Sequence, residues 1–261
     1  MKKCMIVGAI VLAAVSLGAC GRQRRSSRAV AFERTGQAAQ PRVWYFARSR
    51  TRPNAQTPLR AIVVTQHGRT LTFRVPRSVT LGAAAKLSSR QVKIRGAAWA
   101  KQDFTQQRRA LIKTTRAELA AERQNLRRNQ NATVVSFATI KTDRRVIANA
   151  QRRLRQLQRT RFKQPRPQPI VVTVKGRQET LHVATMGFVQ AASDSDNQAA
   201  AYRRTTTQIA PVPYTQTSDQ PVRIGAAIFG YYQGAHAGSR EYALTQVGRR
   251  GAVKFDLQAN K

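Results

Sequence analysis

Residues 61–75, Ala-Ile-Val-Val-Thr-Gln-His-Gly-Arg-Thr-Leu-Thr-Phe-Arg-Val, decide the fold class of this chain. Two runs rich in β-branched residues, 61–65 and 70–75, flank Gln66-His67-Gly68-Arg69, and this arrangement predicts a β-hairpin with the glycine in its turn. Pro76 follows at once, and because proline cannot donate a hydrogen bond to a sheet, we expect the second strand to end there. The sequence therefore predicts antiparallel sheet.

Two basic helices are expected after this hairpin. Residues 103–128 lack Gly and Pro and carry apolar residues at helical spacing among seven lysines and arginines, and residues 146–157 repeat that spacing. Asn129-Gln130-Asn131 is expected to end the first helix, residues 134–140 to form a strand, and Thr142-Asp143 to start the second helix. The apolar stripe of each helix can face a core, or the helix can lie on a membrane or grip a polyanion.

Shorter signals bracket these elements. Thr80 is a candidate N-cap for a short helix, and Ser88 or Ser89 is a candidate N-cap for the segment that follows it. Residues 43–46, Val-Trp-Tyr-Phe, predict an aromatic strand near the start of the ordered chain. Residues 165–169, Pro-Arg-Pro-Gln-Pro, predict a stiff extended connector.

The C-terminal part is expected to be mainly strands. Residues 170–177 match residues 62–69 at six of eight positions, which indicates either a duplicated hairpin or a chance recurrence of β-branched residues around a glycine. Further strands are expected at 208–214 and 222–232, with a final hairpin that pairs 242–247 with 252–257 around Gly248-Arg249-Arg250-Gly251.

The N-terminal residues predict an export signal. Lys2 and Lys3 precede an apolar run, residues 5–17, that is short for a membrane span, and the run ends in Leu17-Gly18-Ala19-Cys20. These four residues resemble the lipobox of bacterial lipoproteins. The resemblance implies that Leu17, Gly18 and Ala19 are read by a signal peptidase and that Cys20 becomes the first mature residue and carries lipid, with acyl chains such as palmitate. An ordinary signal peptide and a buried N-terminal helix are the alternatives.

A wider resemblance covers several short segments. The lipobox, the 43–46 strand, the 62–73 hairpin, Thr80-Leu81-Gly82 and the 221–224 strand together resemble uncharacterised surface lipoproteins of lactic-acid bacteria, which are Gram-positive. This resemblance implies lipid anchoring at the extracytoplasmic face of the cell membrane, and it implies no activity.

The net charge of the chain limits the classes of molecule that it is expected to bind. Lys and Arg number 47 against 11 Asp and Glu, and removal of residues 1–19 takes away two lysines, which leaves a mature net charge of +34. Such a charge attracts polyanions in a salt-dependent way, and the arginine excess is either functional or a consequence of genome composition. At the outside of a membrane the expected partners are anionic lipids and teichoic acids rather than nucleic acid. The contacts expected to lie nearest the membrane are Arg22, Arg24, Arg25 and Arg28.

The sequence predicts no catalytic, cofactor-binding or metal-ligating residues. Export and lipidation would remove both cysteines from disulfide chemistry, since Cys4 leaves with the signal and Cys20 is acylated. The three histidines, His67, His182 and His236, are scattered, and an enzyme would need a cleft that unites one of them with an acid. The candidate acids are Asp143, Glu179 and Glu241.

These observations predict an α+β protein with antiparallel sheets and two amphipathic basic helices, after an N-terminal signal and a disordered tether. The expected organisation is a signal peptide at 1–19, a lipidated basic tether at 20–40, an α+β region at 41–128, and a strand-dominated α+β region at 129–261. The expected function is non-enzymatic binding of an anionic envelope component, or organisation of the envelope. A solute- or ligand-binding lipoprotein that serves a transporter is the alternative. A nucleic-acid binder and an enzyme are less favoured by the sequence.

Overall fold

The computed structural model of the chain describes residues 29–134, 136–189, 201–206, 209, 212–218, 220–249 and 251–256. The helices are α1 Phe32–Gly36, α2 Leu81–Ala85, α3 Ser89–Gln130 and α4 Phe137–Arg159. The strands are β1 Arg42–Ser49, β2 Leu59–Gln66, β3 Arg69–Arg74, β4 Gln168–Pro169, β5 Val172–Lys175, β6 Gln178–Leu181, β7 Thr185–Val189, β8 Ala201–Thr205, β9 Pro213–Thr217, β10 Val222–Ile224, β11 Ala227–His236 and β12 Ser239–Val247. The predicted α+β class with antiparallel sheets is confirmed.

The main sheet closes on itself as a barrel. Its strand order is β4-β3-β2-β1-β12-β11-β9-β6-β5, with β10 paired to β11 and every strand pair antiparallel. The two ends of this order, β4 and β5, are joined by only Ile170 and Val171. The Ile170 N–H donates to the Gly68 carbonyl and the Val171 carbonyl accepts from the His182 N–H, each over 3.0 Å, so pairing continues across the link. Strands β4 and β5 thus act as one continuous strand of an eight-stranded, up-and-down barrel.

The barrel is filled by aromatic side chains, as expected for a barrel of this size. Trp44 is fully buried and stacks on Tyr232 with ring centroids 5.6 Å apart, and Tyr214 lies 5.8 Å from Tyr232. One barrel end is closed by the two terminal segments of the described chain. The Tyr232 hydroxyl accepts from the Phe32 N–H at 3.0 Å and donates to the Lys254 carbonyl at 2.8 Å.

The disordered tether expected over residues 20–40 is wrong for its C-terminal part. Val30 is buried and forms a parallel bridge with Val253, and Phe32 begins α1. The Asp256 carboxylate accepts from the Glu33 and Arg34 N–H groups at 3.0 and 2.8 Å, which satisfies donors at the start of that helix. Contacts from a segment more than 200 residues away therefore order a stretch whose own composition is polar.

The predicted hairpin at 61–75 is confirmed as β2–β3. Gln66 pairs with Arg69, and both turn residues have positive φ, 50° at His67 and 69° at Gly68, as a two-residue turn of this hand requires. The matching segment forms β5–β6, but there Lys175 pairs with Gln178, so Gly176 is the first turn residue and not the second. The turn centre is displaced by one residue, so equivalent side chains point to opposite faces of the two hairpins.

Helix capping follows the sequence closely. The Thr80 side chain accepts from the Ala83 N–H, and Ser88 forms a capping box with Gln91 at the start of α3. Asn131 ends α3 as expected. The first helix nevertheless starts 14 residues earlier than its expected start, because the segment from Ser89 packs on the outer face of β3, where Gly96 lets the helix approach the Phe73 ring.

Two strand predictions are wrong. Residues 134–140 do not form a strand: Ser136 caps α4, its hydroxyl accepts from the Thr139 N–H, and α4 begins at Phe137. The final hairpin is also wrong, because β12 already pairs with β1 on one edge and with β11 on the other, which leaves no edge for residues 252–256. The strand expected over 222–232 is two strands, β10 and β11, separated by a turn with Gly225 at φ 59°.

Candidate polyanion-binding surface

Helices α3 and α4 form an antiparallel hairpin that extends from the barrel. Contacts between the two helices run along their length: Arg108 Nη1 donates to the Thr160 carbonyl at 3.0 Å, Arg153 pairs with Glu118, and Asn129 donates to Asp143 at 2.7 Å. Few residues are buried between the helices. They are Thr115, Leu119, Ala150 and Leu157. The predicted apolar stripes therefore face one another in a thin seam, and most of each helix is surface.

This hairpin has a defined direction relative to the barrel. Lys93 Nζ donates to Gln66 Oε1 at 2.9 Å, so α3 starts beside the β2–β3 turn, at the same end as α1, whose Gly36 carbonyl accepts from the Gly68 N–H. Ten residues later, Asp103 accepts from Arg74 Nε at 2.9 Å, at the opposite end of β3. Helix α3 then continues past the barrel toward the turn that joins it to α4.

The base of the hairpin is held by an aromatic cluster. Phe104 stacks on Phe188 of β7 with centroids 5.4 Å apart and meets Tyr202 of β8 edge-on at 4.7 Å. Ile112 is the last residue of α3 that packs on this cluster. Beyond it α3 continues for 18 residues, about 27 Å at 1.5 Å per residue. In the described part of the chain, this distal segment packs on α4.

The hairpin concentrates positive charge. Helices α3 and α4 together carry 18 lysines and arginines against four acids, a net charge of +14 over 65 residues. Fifteen of the 18 basic side chains are exposed; Lys93, Arg108 and Arg153 are half-buried. Each acid has a partner within the protein: Asp103 binds Arg74, Glu118 binds Arg153, Glu122 accepts from Asn125, and Asp143 accepts from Asn129. The α3–α4 hairpin, which we call the rod, therefore has a positively charged surface.

Like charges also face each other along α3. Arg109 and Lys113 are four residues apart, and so are Arg123 and Arg127, which places each pair on the same side of the helix. Such pairs destabilise an isolated helix by a few tenths of a kcal/mol each. A bound polyanion would relieve this repulsion.

A second charged cluster lies in the barrel wall and is structural. Glu241 is buried and accepts from Arg48 and Arg60, and burial lowers the pKa of Arg60 while Glu241 opposes that shift. Burial raises the pKa of Asp103 above its ordinary value, and the Arg74 charge opposes it. These acids and arginines satisfy one another inside the fold, which makes the cluster a brace rather than a reactive centre.

The outer wall of the barrel also carries an open groove. Its volume is about 340 Å³, and its lining includes Arg52, Arg240, Gln216, Gln233 and Tyr231. Arg52 donates to the Gln220 carbonyl at 2.7 Å, and Gln233 donates to Gln216 at 2.9 Å. The described lining residues include two arginines and three glutamines and no Asp or Glu, while Asp219, between the lining residues Ser218 and Gln220, lies outside the described residues.

The sequence-predicted site residues fall into two groups. Leu17, Gly18, Ala19 and Cys20 lie outside the described residues, as do Arg22, Arg24, Arg25 and Arg28. The histidines and acids considered for catalysis are placed, and the structure puts them on separate elements.

The three histidines lie on different elements of the fold. His67 is in the β2–β3 turn, and His182 follows β6, where Nε2 contacts the Thr173 hydroxyl at 2.8 Å. His236 ends β11, and its carbonyl accepts from Ser239. Among the acids, Asp143 is on α4, while Glu179 and Glu241 are buried.

The described residues contain neither a metal-binding cluster nor a membrane-spanning helix. No cluster of three or more His, Cys, Asp or Glu side chains in them is arranged to hold a metal ion. Within the same residues, no helix combines the length and the apolar character that a membrane crossing requires.

Sequence reasoning missed the rod itself. The two helices were predicted, but the strand expected between them hid the fact that they form one hairpin. The signal that finds it is Ser136, a favoured N-cap residue five residues after the helix end at Asn131.

Comparison of the chain with known protein families, with curated proteins and with solved structures finds no match.

Proposed function

We propose that the chain is a lipid-anchored lipoprotein of the extracytoplasmic membrane face that binds an anionic component of the cell envelope, without catalysis, through the α3–α4 hairpin. The observation that carries the proposal is the net charge of +14 on a rod with 15 exposed basic side chains. The lipobox-like Leu17-Gly18-Ala19-Cys20 supports the location.

The rod suits an extended polyanion. Its exposed arginines and lysines are distributed over about 60 Å of α3, which matches a chain of repeating phosphates better than a single small anion. Arginine binds phosphate oxygens in bidentate fashion, and each contact releases counterions, so affinity should fall steeply as salt rises.

The test titrates a soluble poly(glycerol phosphate), as a teichoic acid probe, into the chain from residue 20 onward with Cys20→Ser. A hairpin variant carries Lys113→Gln, Arg116→Gln, Arg123→Gln and Arg127→Gln. A matched control removes the same types and number of exposed charges from the strands and turns instead. The control substitutions are Lys175→Gln, Arg177→Gln, Arg223→Gln and Arg249→Gln.

We expect the hairpin variant to lose at least tenfold in affinity and to show a shallower salt dependence than the control. Equal losses in the two variants would show that only overall charge matters, and affinity that stays flat between low and high salt would refute the electrostatic mechanism. The anchor is tested separately by membrane fractionation and intact mass of wild type and Cys20→Ser. Identical partitioning, with no lipid on either, would refute it.

A ligand-binding lipoprotein that serves a transporter is the second candidate, and the groove beside Arg52 and Arg240 supports it. Its ligand would be a small anion with hydroxyl or amide groups. Arg240→Gln should then abolish binding of such a ligand, while the hairpin variant should leave it unchanged.

A further inference from the structure

The turn between α3 and α4 exposes two apolar side chains at the far end of the rod. Val134 is 85% exposed and Phe137 is 84% exposed, the two largest values among the exposed large apolar residues of the described chain. Phe137 is the first residue of α4, fixed there by the Ser136 cap, so its ring is held outward by a folded helix end. We call the described residues 131–134, 136 and 137 the tip.

Basic residues flank the tip in the sequence. The nearest acids, Glu122 and Asp143, lie just outside residues 123–142, and each accepts a hydrogen bond from an asparagine, Asn125 and Asn129. Residues 123–142 contain Arg123, Arg127, Arg128 and Lys141 and no Asp or Glu, and all four basic side chains are exposed. Exposed apolar residues flanked by lysine and arginine match the interface of an anionic bilayer, where apolar groups enter the acyl boundary and cations meet the headgroups.

The tip is also free to reach a flat surface. It lies about 27 Å beyond Ile112, the last α3 residue packed on the aromatic cluster at the hairpin base. The rod is narrow there, since Leu119 is the last buried residue of α3. A surface touched by the tip therefore does not have to accommodate the barrel.

We propose that the tip inserts Val134 and Phe137 into the interfacial region of an anionic lipid bilayer. The basic residues draw the rod to the headgroups, and the two apolar side chains then leave water. This inference goes beyond binding of a polyanion, because a soluble polymer offers Val134 and Phe137 no apolar phase. It also predicts a component of binding that survives high salt, since burial of apolar surface is not screened.

The position of the tip gives the insertion a consequence that rests on the proposed lipid anchor. The N-terminal segment enters the barrel at the end that holds Gln66, and α3 runs from that end to the tip, about 55 Å from Lys93 to Gln130. Lipid at Cys20 and insertion at the tip would hold the two ends of the molecule. The second contact would then be intramolecular and strengthened accordingly.

The experiment uses the chain from residue 20 onward with Cys20→Ser, which contains every described residue and no lipid. Partitioning is measured by co-sedimentation with vesicles of phosphatidylglycerol and phosphatidylcholine, and with phosphatidylcholine alone. The tip variant is Val134→Ser with Phe137→Ser. The control is Ile94→Ser with Val174→Ser, which removes two other exposed apolar residues, 65% and 43% exposed, away from the tip.

We expect the tip variant to lose about a hundredfold in partitioning onto anionic vesicles, equivalent to about 2.8 kcal/mol, and the control to lose less than twofold. Phe137→Trp should move its emission to the blue and be quenched by brominated acyl chains, whereas Ile94→Trp should not. Partitioning of the tip variant within twofold of wild type, or the absence of quenching at position 137, would overturn the proposal.

Two further outcomes separate this inference from the proposed function. If the tip variant loses vesicle binding but binds soluble poly(glycerol phosphate) as wild type does, both proposals stand. If wild type binds the polymer but not the vesicles, and sedimentation shows a dimer that the tip variant abolishes, a second copy of the chain covers the tip and bilayer insertion is refuted. Loss of polymer binding in the hairpin variant alone bears only on the proposed function.

Discussion

Replacing Glu241 with Gln should destabilise the barrel strongly, because Glu241 is the acid that two arginines of neighbouring strands share. Its side chain is 4% exposed, and the Arg48 and Arg60 side chains that donate to it are 33% and 27% exposed. Breaking a buried ion pair costs about 3–5 kcal/mol, because a charge is left in a poorly solvated site. Since both arginines retain some contact with water, we expect a loss of about 2–3 kcal/mol.

Glu118→Gln is the matched control. Glu118 also binds an arginine, Arg153, but its side chain is 46% exposed, so the loss should stay below about 1 kcal/mol. Both variants are measured by urea unfolding followed by circular dichroism. In thermal unfolding, 2–3 kcal/mol in a domain of this size corresponds to a melting temperature lowered by about 5–10 °C. A loss below 1 kcal/mol for Glu241→Gln, or equal losses for the two variants, would refute the assignment of the cluster as a structural brace.

Three further predictions concern the terminal segments, the helix seat and pH. Tyr232→Phe removes the hydroxyl that binds main-chain groups of both terminal segments, so hydrogen exchange over 30–36 and 252–256 should rise at least tenfold; unchanged protection there would contradict this. Gly96→Ala should destabilise by about 1 kcal/mol in urea unfolding, since a Cβ would lie 2.5 Å from the Phe73 ring and overpacking outweighs the gain in helix propensity; a stabilised variant would refute it. Burial raises the folded-state pKa of Asp103 above 3.8, so the folded state holds that proton more tightly than the unfolded state does. As pH rises from 3.8 through the raised pKa, the free energy of unfolding of wild type should therefore fall relative to that of Asp103→Asn. A difference between the two that grows with pH would be inconsistent with this.

Structural features that depend on a few neighbouring residues were predictable from the sequence. The β2–β3 hairpin follows from β-branched runs around His67-Gly68, the N-caps at Thr80 and Ser88 were identified from residue type, and Asn131 ends α3 as expected. In each case the deciding contact lies within four residues along the chain, so local propensity and local hydrogen bonding are sufficient.

Predictions failed where distant partners or solvent exposure decided the outcome. Residues 134–140 have strand-forming composition, yet the Ser136 cap starts a helix and leaves Phe137 in water. The 252–257 strand had a plausible turn before it, but β1 and β11 occupy both edges of β12. Ser136 was a local signal that the strand-forming composition outweighed, whereas the occupied edges of β12 are not visible in residues 252–257, because edge occupancy is a property of the whole sheet.

The charge of the candidate site was readable from composition, but its placement was not. Basic helices were expected over 103–128 and over 146–157. That they form one rod follows from the contacts between α3 and α4, and its direction away from the barrel end that receives the N-terminus follows from the Lys93–Gln66 and Asp103–Arg74 contacts. The exposed tip was missed because its apolar residues resembled a core strand.

By itself, the sequence of this protein determined its secondary-structure class, its main hairpin, the helix caps at Thr80 and Ser88 and its extreme positive charge, because each of these depends on residue type and short spacing. The tertiary structure alone decided that the sheet closes into a barrel through Ile170 and Val171, that residues 30–36 are ordered by partners more than 200 residues away, and that two apolar residues stand at the end of a basic rod. Closure, ordering and exposure depend on which surfaces are already occupied, and that is settled only when the whole chain has packed.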